Sequence, residues 1–109
     1  MTFVEYQEFA KRTAVYPEVG AGFVYPALGL CGEAGEVAEK IKKIFRDRSG
    51  IVDDEVRATI AKELGDCLWY IAQIATELGL SLEEIARQNI EKLIDRKARG
   101  RLHGDGDER

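Results

Sequence analysis

The sequence is short of the residues that mark several large protein classes: its 109 residues hold two cysteines, one histidine, two prolines and one tryptophan. Two cysteines do not make a disulfide framework. Cys31 and Cys67 both sit in apolar patterns, and they read as small buried hydrophobes with no nucleophile's partner. No stretch approaches the roughly 20 apolar residues that span a bilayer. The opening MTFVEYQEFAKR carries charges where a signal peptide needs an apolar core. A cytoplasmic location is the expectation. Positive charge is not in excess either: the formal net charge is −4 and the pI is about 5.1. A nucleic-acid polymer or an anionic membrane face therefore meets no attracting field. Sustained period-two alternation is also missing, which leaves an all-α fold.

What is present is material for one small domain, 45% hydrophobic and 33% charged. A chain this short removes only about 65% of its unfolded surface from water, and a cleft would consume much of its core. A homo-oligomer, dimer or tetramer, is expected. Thr2 and Glu5 form a capping box for a first helix running to about Ala14. A loop with Pro17, Gly20 and Gly22 follows. Pro26 suits the first turn of helix 2, whose stripe Leu30, Ala34, Val37, Ile41 and Ile44 runs to the break at Arg48-Ser49-Gly50. Asp53 or Asp54 caps helix 3, with Val56, Ile60, Leu64, Cys67, Leu68, Ile71, Ile74 and Leu78 facing inward and Gly79 ending it. Ser81 and Glu84 suggest a capping box for helix 4, where Leu82, Ile85, Ala86, Ile90, Leu93 and Ile94 face inward. Arg96, Lys97 and Arg99 complement its C-terminal dipole, and Gly100 stops it. Residues 1–100 make the domain and 101–109 a polar, flexible tail.

Helices 2 and 3 are near copies of one another. Sliding one along the other sets Leu30 over Ile60, Glu33 over Glu63, Gly35 over Gly65, Glu36 over Asp66 and Ile41 over Ile71. At about 100° per residue, the first acid of each pair lies roughly 60° from the stripe and the second roughly 120°. If the helices pack antiparallel, with glycines permitting close approach, four carboxylates converge on one cleft. Such a cluster repels by several kcal/mol when partly desolvated, so either its pKa values rise or a cation neutralises it. Oxygen-only ligands select a hard ion, Mg²⁺ or Mn²⁺, and such ions favour phosphate-bearing substrates.

The stretch Gly32-Glu33-Ala34-Gly35-Glu36-Val37-Ala38-Glu39 and the later Lys62-Glu63-Leu64-Gly65-Asp66 together resemble the paired E-x-x-E and E-x-x-D signature of MazG-like nucleotide pyrophosphohydrolases. These belong to the all-α NTP pyrophosphohydrolase superfamily. The likeness covers nearly the whole chain. It implies a four-helix bundle assembled as a homo-oligomer and Mg²⁺ held by Glu33, Glu36, Glu63 and Asp66, with Mn²⁺ as a substitute. It further implies hydrolysis of a nucleoside triphosphate to the monophosphate and pyrophosphate by water attacking the α-phosphorus. Removal of unwanted nucleotides follows from the family alone. Relatives acting on dUTP, dCTP or phosphoribosyl-ATP leave the preferred substrate open. The sequence departs from the fullest form of the motif at Gly32, where family members often carry a further acid. Glu39, one turn on, offers help through water.

Lys40 and Lys43 beside the acids, and Lys92 and Lys97 on helix 4, are candidate phosphate contacts, with Asn89 a candidate for sugar or base. Trp69, Phe23 and Tyr25 offer stacking surfaces; Trp69 lies off its helix's stripe, free to meet a base or another subunit. Plainer readings stand beside these. The acids form a solvated flank paired with Lys40, Lys42 and Lys62, Trp69 is a core or interface aromatic, and His103 is a solvated tail residue. On that view the chain is a non-catalytic oligomerisation or nucleotide-binding regulatory module.

Overall fold

Side-chain caps fix where the helices begin. Thr2 Oγ1 accepts from the Glu5 amide at 3.1 Å while Glu5 accepts from the Thr2 amide at 2.9 Å, a complete capping box. Asp53 accepts from the Val56 amide at 2.8 Å, and Ser81 from the Glu84 amide at 3.2 Å. The computed structural model describes all 109 residues. It comprises α1 (Phe3–Arg12), α2 (Val24–Arg48), α3 (Asp54–Glu77) and α4 (Leu82–Ala98), with no strand. The box expected at Ser81 is half formed, because the Glu84 carboxylate is taken by Arg87 and Gln88. The first helix ends earlier than Ala14, where the Thr13 hydroxyl donates to the Ala10 carbonyl at 2.8 Å. Gly79 and Gly100, at φ 68° and 67°, stop α3 and α4. There Leu80 and Arg101 amides donate back to the Ala75 and Arg96 carbonyls.

Helices α2 and α3 form an antiparallel hairpin. Gly29 lies against Tyr70, Lys40 against Glu63, and Ile44 shares a cavity wall with Val56 and Ile60, so rising numbers on α2 meet falling numbers on α3. Helix α1 packs on α3 and α4, and α4 does not pack on α2. Gln7 ties this corner together: its amide donates to the Leu80 carbonyl and the Thr76 hydroxyl and accepts from the Leu82 amide. Ala10, Ala72 and Leu82 form the small buried core there, with Tyr6 and Trp69 against it. The α1–α2 loop is pinned to α3 through Glu77, which accepts from the Tyr16 hydroxyl at 2.6 Å and the Gly20 amide at 2.8 Å.

Within one chain the four helices do not close into a bundle. The radius of gyration is 16.8 Å, against about 13 Å for a compact domain of this length. Residues expected inside stand open: Leu64 and Ile71 on α3, Leu78 at its C-cap, and Ile85, Ile90, Leu93 and Ile94 on α4, are all exposed large hydrophobics. The reason is geometric. Both stripes are wider than the single face that a neighbouring helix covers, and α4 lies against α1 rather than across the hairpin.

The close approach also falls elsewhere than expected. A Cβ at Gly35 or Gly65 meets nothing within 4 Å, whereas at Gly29 it lies 2.3 Å from a ring carbon of Tyr70. Gly29→Ala is expected to destabilise the fold by about 1–3 kcal/mol through overpacking. Gly35→Ala should be neutral or stabilising by up to about 1 kcal/mol through helix propensity. Urea denaturation of the two variants checks the opposite signs.

Candidate metal centre

The antiparallel register brings acids from the two helices to one place. Glu33, on α2, and Glu63 and Asp66, one turn apart on α3, each offer a carboxylate oxygen, and these oxygens all lie within 4.8 Å of one another. Glu33 and Glu63 are half-buried and Asp66 is exposed. Glu36, the fourth expected ligand, is exposed and stands outside this trio. Its charge nevertheless reaches Glu33. Glu39 is drawn off by Lys42 at 3.0 Å and Lys43 at 3.9 Å rather than turned to the cluster. Gly32 is exposed, with open space where a side chain would stand.

Crowding leaves an electrostatic signature. Burial pushes the Glu33 carboxyl above the ordinary range, and a hydrogen bond with Glu63 and the charges of Asp66, Glu63 and Glu36 push it further. Around the trio, burial raises the Tyr6 phenol, with Asp66 adding to the effect. It likewise raises the Tyr70 phenol, with Tyr25, Glu33 and Asp66 contributing. The Cys67 thiol is held up by burial and by the same three acids, so it is a poor nucleophile. Cys31 is exposed, contrary to its reading as a buried hydrophobe, because its position turns away from the α3 seam. The one cation touching the trio is Lys40, whose Nζ lies 3.7 Å from Glu63.

Lys40 also lines a cavity of about 290 Å³ between α2 and α3, with Lys43, Arg48 and Thr59 on its walls and Ile44, Val56 and Ile60 beneath. Asp47 and Glu55 line it as well, so the cavity is of mixed charge, and it adjoins the acid cluster through Lys40. Asn89, Lys92 and Lys97 belong to α4, which does not pack on α2. Lys92 is paired with Asp107 at 2.8 Å, and Asn89 and Lys97 are exposed.

Trp69 is not the free surface its position off the stripe suggested. Its indole N–H donates to the Thr13 hydroxyl at 2.7 Å, and its ring meets Tyr16 and Tyr70 edge-on. Tyr25 stacks on Tyr16 at 5.4 Å between centroids, while Phe23 stays exposed at the start of α2. Tyr6 and Tyr70 escaped sequence reasoning as neighbours of the acids. Tyr70 had a usable signal, since it stands one turn beyond Asp66 on the same face. Tyr6 had none, because its approach depends on how α1 crosses α3.

Three acids at this spacing, from two helices, with oxygen as the only donor atom, suit a hard divalent cation. Comparison with known proteins agrees with that chemistry. The family model for the MazG nucleotide pyrophosphohydrolase domain matches residues 26–100, a segment holding both acid pairs. Among curated proteins, the chain is 45% identical over 109 residues to "Gene 37 protein" of Mycobacterium phage L5, covering 95% of this chain and 96% of that one. It is 32% identical over 97 residues to "Uncharacterized protein YvdC" of Bacillus subtilis (strain 168), covering 84% and 86%. No solved structure matches. With more than two-thirds of a small chain under one family model and a relative 45% identical along nearly the whole of both chains, the protein belongs to the MazG nucleotide pyrophosphohydrolase family.

Proposed function

We propose that the chain is a Mg²⁺-dependent nucleoside triphosphate pyrophosphohydrolase. It takes a ribo- or deoxyribonucleoside triphosphate and water to the monophosphate and pyrophosphate, and serves to clear unwanted nucleotides in the cytoplasm. The observation that carries this reading is the meeting of Glu33, Glu63 and Asp66 oxygens within 4.8 Å. Their all-oxygen character fits Mg²⁺, with Mn²⁺ as substitute. Glu36, whose charge already reaches Glu33, completes the acidic shell with a flexible side chain. When bound, the ion supplies acidification of water and charge compensation on phosphate oxygens.

The chain's own groups do the rest. Lys40, between the trio and the cavity, and Lys43 on the cavity wall stabilise negative charge on the departing pyrophosphate. The half-buried position of Glu33 and Glu63 keeps bulk water from solvating the reacting centre on that side. The exposed apolar stripes of α3 and α4 support assembly with further copies as a homodimer or homotetramer, since contiguous apolar surface of this kind marks association. In such an assembly the α4 candidates Asn89, Lys92 and Lys97 reach a nucleotide bound to another copy.

Asp66→Asn is expected to lower pyrophosphate release from a nucleotide panel by at least about 100-fold, or roughly 2.7 kcal/mol of barrier, with helicity retained. A near-normal rate for this variant would refute the assigned ligand. Because Glu33 titrates higher in the folded chain than in the unfolded one, this one carboxyl holds its proton to higher pH in the metal-free fold than in the unfolded chain. Its contribution to stability is present at low pH and is lost as pH rises from the ordinary carboxylate range through the raised value. Melting temperatures of metal-free protein should therefore fall across that window relative to those of Glu33→Gln, and Mg²⁺ or Mn²⁺ should raise them above it. A melting curve indifferent to both ions would remove the metal from the proposal.

A further inference from the structure

Residues 101–109 turn back on α4. Gly104 and Gly106 take positive φ, and Arg109 closes the loop by donating to the carbonyls of Gly106 at 2.6 Å and Leu102 at 2.9 Å. The turn delivers Asp107 to two cations one helical turn apart. Lys92 Nζ donates to Asp107 Oδ1 at 2.8 Å, and an Arg96 guanidinium nitrogen donates to the same oxygen at 3.1 Å and to the Asp107 carbonyl. Arg96 stands in the last turn of α4, as its sequence position suggested, and there it is also paired with the tail. Its side chain is 5% exposed, while that of Asp107 is 74% exposed.

This arrangement is asymmetric in a useful way. A buried guanidinium needs acceptors, and two cations aimed at one point need an anion between them. The anion supplied is an exposed carboxylate on a tail whose turns are glycines, so lifting it calls only for local opening. The donors are indifferent to the source of the oxygen: a phosphate oxygen accepts from an ammonium and a guanidinium at the same distances as a carboxylate oxygen does. The Asp107 carboxyl is held below its usual range by Lys92 and then Arg96, so it stays charged and competes as a full anion.

We infer that the tail is a self-blocking strap, in which Asp107 occupies the oxyanion site of Lys92 and Arg96 as a tethered competitor and a phosphate-bearing ligand gains those cations only when the tail lifts. Tethering holds the competitor at an effective concentration of about millimolar. The apparent affinity of a free oxyanion falls by the fraction of chains whose tail is lifted. The effect on turnover rests on the nucleotide reading given above; the effect on oxyanion binding does not.

The test is calorimetric titration of the full chain with inorganic pyrophosphate and no added metal, so that the acid trio takes no part. Asp107→Asn should bind pyrophosphate at least about threefold tighter than the unsubstituted chain. Asp105→Asn, at another exposed tail acid, should leave binding unchanged, and the gain should vanish when Lys92→Gln is added to Asp107→Asn. Hydrogen exchange over residues 102–109 should quicken when pyrophosphate is added to the unsubstituted chain. Equal affinities with and without Asp107, a gain that survives Lys92→Gln, or unchanged exchange would overturn the inference. So would lower thermal stability of Asp107→Asn with unaltered affinity, which would make the contact a structural latch. Tighter pyrophosphate binding without nucleotide hydrolysis in any variant would sink the proposed reaction and leave the strap standing.

Discussion

The seam between α2 and α3 is the constraint on which the other features depend. Its register is set where the Tyr70 ring lies directly on the backbone of Gly29, a contact that no side chain at position 29 permits. From that point the antiparallel run carries Glu33 to Glu63 and Asp66 and Lys40 to the far side of Glu63. A one-residue slip of either helix rotates its acids by about 100°, which would take them off the seam's flank and disperse the trio. Packing and chemistry are therefore one specification here, written in the spacing of a glycine, a tyrosine and three carboxylates.

Helix positions were legible in the sequence because their signals are local. A capping pair such as Thr2 and Glu5, or a stop such as Gly79, acts over a few residues and needs no tertiary partner. The acid cluster was legible for a different reason: two similar helices laid antiparallel bring equivalent flanks together, so the internal repeat foretold Glu33, Glu63 and Asp66 in one place. Glu36 and Trp69 show where this reasoning stops. The helical angle places a Cβ, but whether Glu36 turns inward depends on rotamers. Trp69 is engaged only because Thr13 and Tyr16 arrive from the first helix's end. The gap at Gly35 and Gly65 has the same origin, since a glycine in a helix announces possible approach without naming the helix that approaches.

The openness of the chain follows from how its apolar surface is distributed. A core built from Ala10, Ala72 and Leu82 is small, and much of the remaining apolar material lies in stripes along α3 and α4 that face outward. Burial stabilises by about 25 cal/mol per Å² of apolar area, so stripes left in water forgo a large part of the driving force that a domain of this length has available. Polar ties such as Gln7 to Leu80, Thr76 and Leu82 hold the corner in shape. They fix direction more than they add stability, each being worth about 1 kcal/mol net. The same surface that leaves the single chain loosely closed is then what gives copies a reason to associate under the proposed reading.

Lys40 shows how the acidic centre is tolerated before any ion arrives. Three carboxylates within 4.8 Å cannot all remain charged in a half-buried site without a counter-charge. The fold answers in two ways. Glu33 holds its proton to higher pH than an ordinary carboxyl, and the Lys40 ammonium stands 3.7 Å from Glu63. Neither answer is strong. A raised carboxyl is easily deprotonated by a competing cation, and a pair with Lys40 about one-third exposed is screened by water. That weakness is a condition of function under the metal reading, because a centre already neutralised by a tight internal ion pair would have no affinity left for a dication. Lys40 already lines the adjoining cavity, so under the proposed reading its charge is released toward phosphate oxygens there once the acids have another partner.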